Sequence, residues 1–252
     1  MVADAPTDGT RVLLEVTVGH GRDVPGAQQG GAGRLHLVAP GEAAGRSPEP
    51  GVVTEVVRET DLPVFAVLRL NDSWTTTGGE LTRLVGLAED YLARGAAGVS
   101  FGFLDADLLV DTEVCEHLTT ALPGVPWTFH RAVDSTLEPR RAWRQLLGLP
   151  GLVAVRSAGS PQGMSVGYDE LLATAQSSPD VARVLMPGGG LLAEHVPWLV
   201  RAGVRQLHLG PQARPGGSRK AYVDASHVRS WRLLADDAQA RAEKSSPAPS
   251  PR

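Results

Sequence analysis

Residues 79–104, GELTRLVGLAEDYLARGAAGVSFGFL, hold one full unit of the pattern that decides the fold. Leu81, Leu84, Leu87, Ala88 and Leu92 recur at helical spacing and form an apolar stripe. Gly95-Ala96 ends that helix, because glycine takes the left-handed backbone that feeds a following strand. The run 98–104, GVSFGFL, then has the length and apolar character of a buried strand.

Outward from this unit the pattern repeats. Seven further strand-like runs are RVLLEVTV (11–18), RLHLV (34–38), VFAVLRL (64–70), PWTFH (126–130), LVAVRS (152–157), ARVLM (182–186) and RQLHL (205–209). Helical segments lie at 168–176, 193–200 and 224–234, the last with Asp224 as N-cap. Gly31-Ala32 and Gly203-Val204 repeat the glycine stop, and Pro63 and Pro126 end helices in its place. Eight strands alternating with helices over about 230 residues is the count of a closed barrel. The prediction is a single-domain α/β fold, a TIM-type (β/α)8 barrel over 11–238. The turn Gly19-His20-Gly21-Arg22 does not match the glycine fingerprint of a doubly wound sheet. Residues 1–10 are polar and read as a flexible N-terminus; 241–252, RAEKSSPAPSPR, read as a disordered Ser/Pro-rich tail.

The chain has 252 residues, 42% hydrophobic and 21% charged, which excludes a wholly disordered protein. A net charge of −4 gives no general attraction to phosphate backbones, so nucleic acid is not the expected partner. No apolar run has the length of a membrane span, and the polar start is not a secretory signal. One cysteine, Cys115, forbids an intramolecular disulfide and suits a reducing compartment. The expectation is a cytoplasmic protein with no membrane partner. A homodimer is the default oligomer.

Catalytic groups of such barrels sit at the C-terminal ends of the strands. Polar groups there are Glu15, His36, Arg69, His130 with Arg131, Arg156 with Ser157, and His208. Any one of them alone is more economically a structural ion pair. Spread over six strands, they predict a polar pocket at one rim, since burying ionised groups costs several kcal/mol unless they are paired. Glu15, His130 and His208 are the proton-transfer candidates, with Glu15 and His130 as the acid/base pair. Arg69 and Arg131 are suited to clamp a carboxylate or phosphate, and Ser157 joins the binding side. Gly188-Gly189-Gly190, after strand 7 and before a helix, is a candidate anion cradle. A metal reading gathers His36, His130 and His208, with Glu15 as fourth ligand, for Zn(II) or Cu(II). One Cys and three Met make a poor set for Cu(I), and Cys115 reads as a buried structural thiol.

Pro126-Trp127-Thr128-Phe129-His130-Arg131-Ala132-Val133-Asp134 resembles the TFHRAFD block of the CutC family, with Val133 in place of Phe. Leu14-Glu15, the stretch 27–37, Gly45-Arg46-Ser47-Pro48, Val67-Leu68-Arg69, residues 102–107, Met186 to Gly190 and Leu207-His208 resemble other family blocks in register. The resemblance spans roughly 11–235 and implies a cytoplasmic TIM-type barrel implicated in copper homeostasis, so copper is a cofactor on resemblance only. It carries over Glu15, Arg34, Arg69, His130, Arg131, Asp134 and His208, with Arg34 on the substrate-binding side. Asp134 is expected to pair with Arg131 or to cap the loop backbone, fixing the angle at which His130 enters the pocket. The chain departs from the family at His36 (for Glu), Val38 (for Cys), Phe65 (for His), Asn71 (for Arg) and Leu209-Gly210 (for a Ser-rich pair). Three readings follow: a copper-handling barrel, an enzyme acting on a small anionic metabolite, and a degenerate barrel that binds without turnover.

Overall fold

Leu13–Val18 (β1) is the strand that the rest of the sheet is built around. In the computed structural model, which describes residues 11–41 and 45–245, it pairs in parallel with Arg34–Leu37 (β2) on one side and Gln206–Leu209 (β8) on the other. The sheet continues through Val64–Val67 (β3), Gly98–Phe101 (β4), Trp127–Phe129 (β5), Leu152–Ser157 (β6) and Leu185–Pro187 (β7), every pair parallel. The order β7-β6-β5-β4-β3-β2-β1-β8 brings the two end strands side by side, with Gly188 against His208. This is the predicted (β/α)8 barrel. Pro187 has no N–H to give, which suits the short β7 ending there.

Alternation sorts the strand residues into two layers. Leu14, Val16 and Val18 of β1 pack under the helices, as do Leu35, Leu37, Val99, Phe101, Phe129, Leu207 and Leu209. The opposite face of the same strands carries Glu15, Arg34, His36, Ser100, Thr128 and His208, all buried inside the barrel. Phe129 therefore faces away from His130, as a strand period of two requires.

The helices are Val24–Gly30 (α1), Pro50–Arg58 (α2), Gly78–Ala93 (α3), Thr112–Ala121 (α4), Pro139–Leu147 (α5), Met164–Ser177 (α6), Pro179–Val184 (α7), Val196–Arg201 (α8) and Ala225–Ser245 (α9). Helix α3 begins with a reciprocal capping box between Thr77 and Glu80. Gly31, Gly95 and Gly203 all stand at φ between 94° and 98°, the left-handed stops read from the sequence. Asp224 caps α9, accepting from the amides of Ser226 and His227.

Two expectations need correction. The run 182–186 is not one strand: Ser178 accepts from the Val181 amide and Pro179 occupies the first turn, so 179–184 is helix and β7 starts at Leu185. Helix α9 continues to Ser245, so the first five residues of the segment assigned to a tail are helical. Its buried Arg232 donates to the Val12 carbonyl, and Gln239 accepts from the Val12 amide, so the helix holds the entrance to β1. The flexible-terminus expectation for 1–10, and the tail beyond 245, lie outside the described residues.

Candidate functional site

Parallel strands deliver all their C-terminal ends to one rim, and a cavity of about 420 Å³ opens there. His36 (β2), Arg69 (after β3), His130 (after β5), Arg156 (β6) and His208 (β8) line it, together with Trp74 from the β3–α3 loop. Of the residues singled out in the sequence, Arg131 and Gly189 also reach the wall. Glu15, Arg34, Asp134, Ser157, Gly188 and Gly190 do not.

Glu15 and Arg34 lie beneath the floor. They are cross-strand partners in register, and Arg34 Nε donates to Glu15 Oε2 at 2.6 Å. The Arg34 guanidinium lies 4.3 Å from the centre of the Phe65 ring, which covers it from below. Glu15 is fully buried. Burial raises a carboxyl pKa, but the Arg34 charge and the His208 hydrogen bond outweigh it and hold Glu15 well below the usual carboxylate range. Glu15 is thus a fixed anion in the floor rather than a group facing a ligand.

His208 stands between that anion and the cavity. Its Nδ1 is 2.7 Å from Glu15 Oε1, and its Nε2 is 2.9 Å from Thr17 Oγ1 and 3.3 Å from Arg156 Nη1. Because Glu15 only accepts, Nδ1 carries the proton and Nε2 is the acceptor. Burial and the Arg156 charge push His208 down to about 4, so the ring is neutral. His36 meets it edge to face at 5.2 Å, and neither ring nitrogen of His36 has a hydrogen-bond partner. His130 accepts the Ala132 amide at Nδ1, while its Nε2 is buried without a partner. Burial, with Arg156 nearby, pushes His36 and His130 down as well.

Among the described residues no carboxylate hydrogen-bonds Arg156, on which Glu15 and Asp134 act through space. Among the described residues its hydrogen-bond contact is with His208 and its Nε has no partner, and desolvation lowers its pKa to about 10. Arg214 and Arg69 of the wall are tied down. Arg214 makes a two-pronged pair with Asp23 at 2.9 and 3.0 Å. Arg69 donates to the Asp72 carbonyl and lies 4.1 Å over the Trp74 ring, whose other neighbour is His130 at 5.0 Å. Trp74 is held in place by Ser135.

The His130-Arg131 block folds as one corner. Arg131 Nε donates to Asp134 Oδ2 at 2.7 Å, the expected pair. Asp134 also accepts from the Ala158 amide at 3.1 Å and from Ser157 Oγ at 2.6 Å, which spends the Ser157 hydroxyl away from the cavity. The glycine triplet serves this corner. A Cβ at Gly189 would stand 2.7 Å from the Arg131 guanidinium, and one at Gly188 would crowd His208 and Arg156. Asn71 bonds Glu80 and the Ser73 amide, so it shapes the β3 loop.

The donor set does not fit copper. Both nitrogens of His208 are engaged and a guanidinium sits against one of them, which repels a metal ion. Val38 offers no thiolate on the wall, and Cys115 is buried in α4 among apolar side chains with its thiol pushed up to about 12. Among the described residues no three His, Cys, Asp or Glu side chains are placed to hold a metal ion.

Sequence reasoning passes over Thr17 and Trp74, and places Arg156 at the rim without giving it a role. Thr17 was within reach, since it shares the inward face of β1 with Glu15 two residues away. Nothing in the sequence marks Trp74.

Fold and site together define a (β/α)8 barrel with a cationic, histidine-lined cavity at the C-terminal rim. The chain belongs to the CutC family, whose model matches residues 12–213. It is 28% identical over 218 residues to a CutC family protein of Klebsiella pneumoniae, covering 81% of this chain and 86% of that one. It is 31% identical to the mouse copper homeostasis protein cutC homolog, covering 79% and 74%. The crystal structure of a CutC protein from Streptococcus agalactiae superposes with a TM-score of 0.69 at 23% identity, covering 79% of this chain and 98% of that one.

Proposed function

We propose that the rim cavity binds a small anionic metabolite and carries out proton-transfer chemistry on it. The observation that carries this reading is Arg156, a cation beside three neutral histidines with no carboxylate bonded to it. Glu15 and Asp134 act on this half-buried guanidinium only through space, and a bound carboxylate or phosphate would supply the direct partner it lacks. His130, a cavity-lining imidazole whose buried Nε2 has no hydrogen-bond partner, is the group suited to exchange a proton with the ligand. A volume of about 420 Å³ is that of a metabolite site. The copper role suggested by the names of relatives finds no ligand set among the described residues, and anion binding is the better-supported reading. No helix among the described residues is long and apolar enough to cross a membrane; the single buried Cys115 supports action in the cytoplasm.

The test is thermal denaturation with succinate or inorganic phosphate. Wild-type protein is expected to be stabilised by either anion. Arg156→Gln is expected to fold at least as stably as wild type without ligand and to lose the response. Stabilisation that survives Arg156→Gln would overturn the assignment.

A further inference from the structure

Thr17, His208 and Glu15 stand in the order hydroxyl, imidazole, carboxylate. Thr17 Oγ1 lies 2.9 Å from His208 Nε2, and His208 Nδ1 lies 2.7 Å from Glu15 Oε1. The carboxylate is sealed in the floor, whereas the hydroxyl and the imidazole line the cavity. Gly210, just after β8, also lines it, and a Cβ there would stand 4.0 Å from Thr17 Oγ1, so the hydroxyl is approachable from that side. A base oriented by a third group and bonded to a hydroxyl is the arrangement that makes a weak nucleophile reactive.

At rest the arrangement is idle. The lone pair of Nε2 that must take the Thr17 proton also faces the Arg156 guanidinium at 3.3 Å. The groups around His208 are Glu15 and Thr17 from β1, Arg34 and His36 from β2, Arg156 from β6 and the uncharged Gly188 just after β7. Among these, Glu15 and Arg34 already neutralise one another. The remaining charge is Arg156, and it opposes an imidazolium.

We propose that Thr17 is the catalytic hydroxyl of this cavity, with His208 as its base and Glu15 as the positioning residue, and that an anionic group of the substrate seated on Arg156 releases the base. This deepens the anion-binding reading and rests on it. The substrate class is a small ester or thioester whose acyl part carries a carboxylate or phosphate. Thr17 Oγ bonds to the acyl carbon as its proton passes to His208 Nε2. The bond from acyl carbon to leaving group breaks, and the leaving group takes that proton. Water then attacks the acyl-threonine, giving one proton through His208 back to Thr17 and releasing the acid. A neutral ester leaves Arg156 uncompensated and the base disabled, so discrimination falls on the chemical step as well as on binding.

The probes are the 4-nitrophenyl monoester of succinate and neutral 4-nitrophenyl butyrate, with acylation located by peptide mass mapping. The anionic ester is expected to acylate Thr17 about tenfold faster or more than the neutral one, and Thr17→Val to lower labelling about 100-fold or more. Thr17→Ser should retain it. Nitrogen NMR should show the Nδ1–H tautomer of His208 in wild type, and Glu15→Gln should lower the acylation rate of Thr17 while keeping stabilisation by succinate, a split that a purely structural carboxylate would not give. Thr17→Val, nearly isosteric, should still be stabilised by succinate. No acylation of wild type, equal rates for the two esters, or labelling unchanged in Thr17→Val overturns the proposal while leaving anion binding standing. Failure of wild type to bind succinate at all overturns the anion reading itself.

Discussion

Arg131 and Asp134 are locked together at 2.7 Å, and the same carboxylate receives the Ala158 amide and the Ser157 hydroxyl from the end of β6. One nearly inaccessible side chain thus ties the β5 corner to the neighbouring strand. Asp134→Ala leaves a guanidinium, an amide and a hydroxyl without their acceptor. It is expected to lower stability by about 3 kcal/mol, read by urea denaturation. His130 sits at the head of this corner, so anion affinity should also fall by more than His130→Gln alone explains. A loss below about 0.5 kcal/mol would show that the corner is held by its backbone.

Gly189 stands at φ 75° with the Arg131 guanidinium 2.7 Å from where a Cβ would lie. Gly189→Ala must both strain the backbone and displace Arg131. The expected cost is about 1–2 kcal/mol, together with weaker anion binding as the guanidinium swings out of line. Unchanged binding in a destabilised Gly189→Ala would separate Arg131 from the ligand.

The barrel was legible because its signals are local. Leu81, Leu84, Leu87 and Gly95 announce a helix and its stop without reference to anything distant. The inward strand positions Glu15, His36 and His208 follow from period-two alternation in the same way. What was hidden depends on neighbours far along the chain. Ser157 was read as a ligand-binding hydroxyl, yet Asp134, 23 residues earlier, takes its hydrogen bond. Gly188 to Gly190 were read as an anion cradle, and their absent side chains make room for Arg131, Arg156 and His208. Arg156 stands out only once Glu15 is seen to be shared between Arg34 and His208, which leaves it no carboxylate. The helix of 179–184 was lost because Val181 and Val184 read as strand, while the Ser178 cap and Pro179 decided otherwise.

Copper titration separates the name of the relatives from the chemistry of this chain. His36, His130 and His208 are the imidazoles nearest to a metal set, and the guanidinium beside His208 opposes any cation there. Wild type and a His36→Ala, His130→Ala, His208→Ala triple variant are expected to bind copper with the same affinity within error. Tighter binding by wild type, competed by a chelator, would reverse the donor-set argument. Native Cys115 should resist thiol reagents at pH 8, since burial holds its pKa near 12, and should react fully in denaturant.

Acid should unfold this barrel in two stages. His36, His130 and His208 all titrate below the ordinary histidine value of 6.5 because burial and Arg156 disfavour their charged forms. The unfolded chain therefore binds more protons than the folded one as pH falls from 6.5 towards 4, and stability drops through that window. For His208 alone, a shift from 6.5 to about 4 corresponds to a loss of about 3 kcal/mol. Glu15 acts lower. Its folded pKa is depressed, so its contribution is present above about 4.5 and is lost only as pH falls further, through its folded value. His36 has no hydrogen bond to lose, so His36→Leu removes one titrating ring from the upper window without breaking the floor. Denaturant titrations between pH 6 and pH 4.5 should show a slope shallower by up to about 1.4 kcal/mol per pH unit in His36→Leu. The variant should be more stable than wild type at pH 5. Equal slopes in the two proteins would mean that His36 is protonated in the folded barrel, paired with Glu15 3.9 Å away.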